Sequence, residues 1–127
     1  MALSNPIGEF EFSSRGLAVS DPSSGGGGSI TVDYEGTATG YGVVASSTTF
    51  TVQEAGAKSG TVSANNVAWL ENGDSLSAVS RGVFSSSGTN TWRVRAMVVV
   101  SDGTVLLSEG EVSLAERTYK GKLYAWE

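Results

Sequence analysis

Residues 91–100, TWRVRAMVVV, form the longest strand signal in the chain and constrain its fold more than any other segment. Side chains alternate between the two faces of a strand, so every second residue from Trp92 to Val100 shares one face. The other face holds Arg93, Arg95, Met97 and Val99. Both faces are apolar toward the end of the run, which predicts a strand that is covered on both sides.

Several other segments alternate in the same way, and turn residues separate them. No helix of useful length is predicted, and the 17 glycines and 2 prolines in 127 residues suit a single all-β domain, 1–127, with many turns. A long antiparallel sheet closes into a barrel or splits into two sheets. We therefore predict an up-and-down barrel of eight, or possibly nine, strands, with a β-sandwich as the alternative. The predicted strands cover 7–12, 17–20, 29–38, 43–52, 61–70, 75–84, 91–100, 105–114 and 117–125.

The segment 21–29, DPSSGGGGS, contains four consecutive glycines and is predicted to be a flexible loop or an engineered linker. A loop that cradles phosphate would need a lysine and a following helix, and this segment has neither.

The residue types that are absent narrow the chemistry. The chain has no cysteine and no histidine, which excludes disulfides, thiolate chemistry and every Ser-His or Cys-His device. A net charge of −5 with eight basic residues argues against nucleic acid or an anionic membrane as partner. We expect neither a metal nor a cofactor. The start of the chain, MALSNP, does not resemble a signal peptide and no apolar run is long enough to cross a bilayer, so cytoplasm is the default compartment.

Two dipeptides, Asn72-Gly73 and Asp102-Gly103, are typical of two-residue hairpin turns. Pairing outward from the first turn places Trp69 opposite Leu76. Pairing outward from the second places Glu109 opposite Ala96 and Glu111 opposite Val94. On this register both carboxylates share the face of Trp92 and would lie in the barrel's apolar interior.

Glu109 and Glu111 are accordingly the candidate acid/base pair, because burial and a neighbouring carboxylate both raise a carboxyl pKa toward neutrality. The alternatives are a bulge at Gly110 that turns one glutamate outward, or solvated strand ends. Arg81 shares its predicted face with Val62 and Ala64, so it could pair with an anionic group or enolate of a ligand. Its alternative place is a rim or a subunit contact.

The candidate ligand-binding residues are aromatic, because rings stack on ligands and carry hydroxyl or indole donors. They are Tyr34, Tyr41, Trp69 and Trp92. Core packing is the alternative role for all of them. Aromatic residues around an enclosed cavity would favour a small-molecule site, whereas a coplanar exposed row would favour a surface that binds carbohydrate.

The order of these segments resembles the small calycin-like barrels of the allene oxide cyclase-like and dirigent-like families. The resemblance covers residues 29–127 and rests on strand rhythm and turn placement, in the segments DYEGTATGYGVV, STTFTV, WLENGD, VVVSDGTVLLSEGEVSL and TYKGKLYAWE. It implies an eight-stranded barrel with a hydrophobic cavity, assembled as a homodimer or homotrimer. It also implies that any catalysis would be a cyclisation or isomerisation that depends on confining the substrate.

Two functions follow from these observations. The first is a barrel that binds an apolar small molecule and, if it is an enzyme, acts as a cofactor-independent cyclase or isomerase. The second is a non-catalytic module for carbohydrate binding or structural interaction.

Overall fold

The structure is a computed structural model that describes residues 5–20, 27–54 and 56–126. Eight antiparallel strands pair in chain order, and the first strand pairs with the last to close the sheet. The predicted all-β, eight-stranded, up-and-down barrel is thus confirmed, and the sandwich alternative is wrong. The strands are β1 (Gly8–Val19), β2 (Gly28–Ala38), β3 (Gly42–Val52), β4 (Ser59–Trp69), β5 (Ser75–Gly88), β6 (Thr91–Val100), β7 (Val105–Ser113) and β8 (Thr118–Ala125).

The first strand differs from its prediction. The two short strands predicted at 7–12 and 17–20 are parts of one strand, β1, whose pairing with β2 shifts between Ser14 and Gly16. Arg15 is the extra residue of this β-bulge, and such a bulge interrupts the alternation on which the sequence prediction relied.

The glycine-rich loop predicted over 21–29 lies outside the described residues from 21 to 26. Gly28 and Ser29 already belong to β2, where they pair with Val52 and Thr51. Within the described parts of the chain, the structure contains no helix with the length and apolar character of a membrane span.

The hairpin register predicted from Asp102-Gly103 is wrong by one residue. The Gly103 N–H donates to the Val100 carbonyl over 2.9 Å, and the Val100 N–H donates to the Thr104 carbonyl over 2.9 Å. The turn therefore contains three residues, 101–103, with Gly103 at a φ of 95°. Asn-Gly and Asp-Gly serve such turns as well as two-residue ones, because glycine takes the left-handed position in both.

The same three-residue turn joins β4 to β5. The Gly73 N–H donates to the Leu70 carbonyl over 3.0 Å, so Trp69 pairs with Ser75 and not with Leu76. A slip of one residue moves every side chain of a strand to the opposite face of the sheet. Side chains of β5 and β7 that were predicted inside consequently lie outside.

The interior has two aromatic clusters. Phe50, Phe84 and Trp92 fill the end of the barrel near the β3–β4 and β5–β6 connections, with ring centroids 4.7–5.5 Å apart. A second cluster lines the β8–β1–β2 side with centroids 4.9–6.4 Å apart. Burying these large rings supplies much of the apolar area that stabilises the barrel. The second cluster consists of Phe10, Phe12, Tyr34 and Tyr119.

Gly110 makes room for the second cluster. It faces inward on β7, and a Cβ added there would lie 2.6 Å from the Lys120 carbonyl oxygen, 2.8 Å from Phe10 Cζ and 2.9 Å from Tyr119 Cε1. The rings of Phe10 and Tyr119 therefore lie over the bare backbone of this glycine, and no side chain fits beneath them without displacing one.

We predict that Gly110→Ala lowers the free energy of unfolding by about 1–3 kcal/mol, the usual cost of overpacking a core. Gly16→Ala is the matched control, since an added Cβ there meets no atom within 4 Å. It is expected to be neutral or slightly stabilising. Urea unfolding of both variants measures the difference, and equal stabilities would contradict this account of Gly110.

Candidate functional site

A cavity of about 100 Å³ lies inside the barrel, above the Phe50–Phe84–Trp92 cluster. Phe10, Phe12 and Tyr119 form one of its walls. Side chains on the strands from β3 to β7 form most of the rest, and many of them are small, which leaves the space open. They include Ser46, Ala64, Asn66, Ala78, Ser80, Ala96 and Ser108.

Tyr41 lies at the mouth of the cavity. It belongs to the turn between β2 and β3, lines the cavity, and packs against the buried core. Burial raises the pKa of Tyr41, and the negative charge of Asp102 raises it further. Asp102 lies in the β6–β7 turn at the same end of the barrel.

The polar groups of the cavity are neutral and bonded to one another. Ser46 and Thr48 share a hydrogen bond of 2.8 Å between their hydroxyls. The Asn66 amide donates to Ser80 Oγ over 3.1 Å and to the Ala78 carbonyl over 3.3 Å. Among the described residues no Asp, Glu, Lys or Arg lines this cavity.

The structure places Glu109 and Glu111 on the outer surface, which corrects the prediction that they face the interior. In the strand register, Glu109 lies opposite Arg95 on β6, and Glu111 lies opposite Arg93. The inward positions on β7 are those of Leu106, Ser108, Gly110 and Val112. The reason for the difference is the three-residue turn at 101–103, which shifts β7 by one residue against β6.

These two glutamates belong to two rows of alternating charge that run across four strands. One row continues from Glu109 to Lys122 on β8 and Glu9 on β1; the other continues from Glu111 to Lys120 and Glu11. The Arg93–Glu109 contact measures 3.0 Å and the Lys120–Glu11 contact 3.8 Å. Opposite charges on facing strands each contribute about 0.2–1 kcal/mol and disfavour a shifted register. Around the β8–β1 seam, these rows favour the register that closes the barrel.

Arg81 also lies on the outer surface. The sequence had predicted that it would share a face with Val62 and Ala64, which point inward. Arg81 pairs with Ser63 and Met97, and its guanidinium donates to the Ser80 carbonyl over 2.8 Å. The slip at the 71–73 turn again explains the difference. Arg81, Glu109, Arg93 and Arg95 line a shallow groove on this outer surface and do not reach the cavity.

The four aromatic candidates occupy four different environments. Tyr41 lines the cavity, Tyr34 is buried behind it in the second aromatic cluster, and Trp92 lies in the cluster below it. Trp69 lies on the outer surface and is 50% exposed. The structure thus brings three of the four to the interior and separates Trp69 from them.

Sequence reasoning missed the polar residues of the cavity, above all Asn66, Ser80 and Ser108. A signal for Asn66 was present, because it alternates with Val62, Ala64 and Ala68 and is the one polar residue of that face. For Ser80 and Ser108 the predicted register pointed to the wrong face.

Neither protein-family models nor curated proteins nor solved structures give a match to this chain.

The buried tyrosines predict a loss of stability at alkaline pH. Burial raises the pKa of Tyr34 to about 12 from the ordinary value of 10.0, and burial also raises the pKa of Tyr119. Between pH 10 and pH 12 the folded protein binds more protons than the unfolded chain. The free energy of unfolding is therefore highest below pH 10 and falls as the pH rises toward 12.

Between pH 9 and pH 11, Tyr34→Phe is expected to reduce this loss by about 1.3 kcal/mol, the linkage energy over that range for a group whose pKa is 10.0 in the unfolded chain and about 12 in the folded protein. Urea unfolding of the wild type and of the variant at pH 9, 10 and 11 measures the effect. Identical pH dependence in both proteins would show that Tyr34 is not protected from ionisation by the fold.

Proposed function

We propose that the barrel binds one small, neutral, largely apolar molecule in its interior. The observation that carries the proposal is the cavity of about 100 Å³ inside the barrel, whose lining is mainly apolar. A barrel of eight strands is just wide enough either to be filled by side chains or to hold one small ligand. Here the lower end is filled and the middle is not.

An open apolar cavity has an energetic cost. Side chains that border a space filled only by water lack the dispersion contacts that a close-fitting apolar group would give them. A ligand that fills the space restores those contacts. An apolar cavity of about 150 Å³ in another protein takes up benzene, so this smaller cavity, which is open at one end, suits a ligand with a single ring.

The cavity favours an uncharged ligand. Three charged residues adjacent to inward-facing residues of β5 and β7 point to the outer surface: Glu109, Glu111 and Arg81. The described lining therefore offers no countercharge to a ligand. Moving an unpaired charge from water into such a space would cost several kcal/mol. The proposal is therefore binding, and a cyclase or isomerase activity by confinement stays a prediction.

The closed barrel agrees with the resemblance to calycin-like proteins, whose cavities hold small molecules. The position of Trp92 also favours an interior site over a carbohydrate-binding surface. Trp69 and Trp126 are the exposed tryptophans among the described residues, and they lie at strands β4 and β8, on opposite sides of the ring. They do not form the exposed row that a carbohydrate surface would use.

The homodimer or homotrimer predicted from the sequence also stays a prediction. Its support is an apolar area on the outside of β5 and β6, where four large side chains are 41–48% exposed. The predicted second apolar face of residues 91–100 is part of this area. The four residues are Val79, Val83, Met97 and Val99.

Filling the cavity tests the proposal. In Ala96→Leu the added side chain would occupy the ligand's space, because its inward neighbours Gly82 and Ser108 are small. Ethylbenzene binding, followed by NMR titration of the wild type, is expected to weaken at least tenfold in the variant. Ala45→Leu, a change of equal size on the outer surface of β3, is expected to leave binding unchanged.

The proposal fails if ethylbenzene does not bind the wild type. It also fails if Ala96→Leu and Ala45→Leu bind ethylbenzene as tightly as the wild type does, because the ligand would then lie outside the barrel.

A further inference from the structure

Asn66 is the most polar group of the cavity and has one unused hydrogen-bonding atom. Its Nδ2 group donates twice, to Ser80 Oγ and to the Ala78 carbonyl. Within the described residues, no donor bonds to its Oδ1. Since no buried polar atom of the described side chains lacks a partner, this oxygen is accessible, and Asn66 lines the cavity.

Ser80 complements this arrangement. Its Oγ accepts the hydrogen bond from Asn66, and a serine hydroxyl can donate one hydrogen bond as well. Asn66 and Ser80 lie on neighbouring strands, β4 and β5, and both line the same cavity. They therefore offer a ligand one acceptor and one donor side by side, surrounded by apolar side chains.

We propose that Asn66 and Ser80 recognise a hydroxyl group on a small, neutral ligand. This inference rests on the proposed function and adds the chemical class of the ligand. A ligand O–H donates to Asn66 Oδ1, and the same ligand oxygen accepts from the Ser80 hydroxyl. The apolar remainder of the ligand, such as one aromatic ring, fills the space lined by Ala64, Ala96 and Val98.

The acceptor of Asn66 and the donor of Ser80 together favour a neutral ligand over a charged one. A hydroxyl exchanges its water contacts for two hydrogen bonds in the cavity, so its burial is compensated. A carboxylate would face the Asn66 oxygen, which repels it. An ammonium group could donate to that oxygen, but it would bury a full charge with no carboxylate among the described lining residues.

Three ligands of equal size test the inference: ethylbenzene, benzyl alcohol and benzylammonium. Their dissociation constants for the wild type are measured by NMR titration at neutral pH. We expect benzyl alcohol and ethylbenzene to bind, and benzylammonium to bind at least a hundredfold more weakly than benzyl alcohol. Benzylammonium binding equal to that of benzyl alcohol would overturn the inference.

Asn66→Leu separates the hydroxyl contact from the apolar contacts, because leucine resembles asparagine in shape and has no polar atoms. We expect the ratio of the benzyl alcohol constant to the ethylbenzene constant to rise about tenfold in Asn66→Leu. Asn65→Leu is the matched control, since Asn65 directly precedes Asn66 on β4 and is exposed on the outer surface. It is expected to leave the ratio unchanged.

Ser80→Ala removes the second partner and gives the same test by a smaller change if Asn66→Leu does not fold. An unchanged ratio in the folded variants, with both ligands bound by the wild type, would overturn hydroxyl recognition and leave the proposed function standing. Failure of all three ligands to bind the wild type would overturn the proposed function, and hydroxyl recognition with it.

Discussion

The pairing of β1 with β8 is the constraint on which the structure depends. It closes the sheet, so that every strand has a partner on each side, and the end of β1 beyond Ser14 pairs with β2 alone. Closure also fixes the width of the interior, since the diameter of a barrel follows from its number of strands. The rows of alternating charge cross this seam at Lys122–Glu9 and Lys120–Glu11 and favour the register that closes it.

Within this fixed width, side-chain size decides what the interior can do. Large rings close one end at Phe50, Phe84 and Trp92 and fill one side around Phe10 and Tyr119. The opposite side carries alanine and serine, which leave a cavity between the rings and the sheet. One part of the interior is thus packed with rings that stabilise the fold, and another part remains a cavity.

Charge is divided between the two surfaces of the barrel in a similar way. The described charged side chains near the cavity all belong to the outer surface, where Arg93 and Glu109 pair at 3.0 Å. Among the described residues, the polar groups that line the cavity are neutral, and two of them, Asn66 and Ser80, are bonded to each other. Selectivity for a ligand would accordingly come from hydrogen bonds and from the size of the cavity.

The sequence predicted the fold well because its signals are local. The alternation in 91–100 identified a strand, and the inward face from Trp92 to Val100 is the one found. The candidate site was predicted less well because it depended on register. A turn of two residues and a turn of three residues can share the same Asp-Gly pair, and this single residue decided whether Glu109 or Ser108 faced inward. The volume of a cavity depends on the side chains of many strands together, so no local sequence pattern predicts it.

The central claim is that a small neutral molecule binds inside the barrel, and the contacts of a bound ligand test it most directly. Nuclear Overhauser effects between unlabelled ethylbenzene and the isotope-labelled protein identify the methyl groups that the ligand touches. The account predicts contacts with the methyl groups of Ala64, Ala96 and Val98, all of which line the cavity. Contacts confined to Val79, Met97 and Val99 on the outer surface would contradict it.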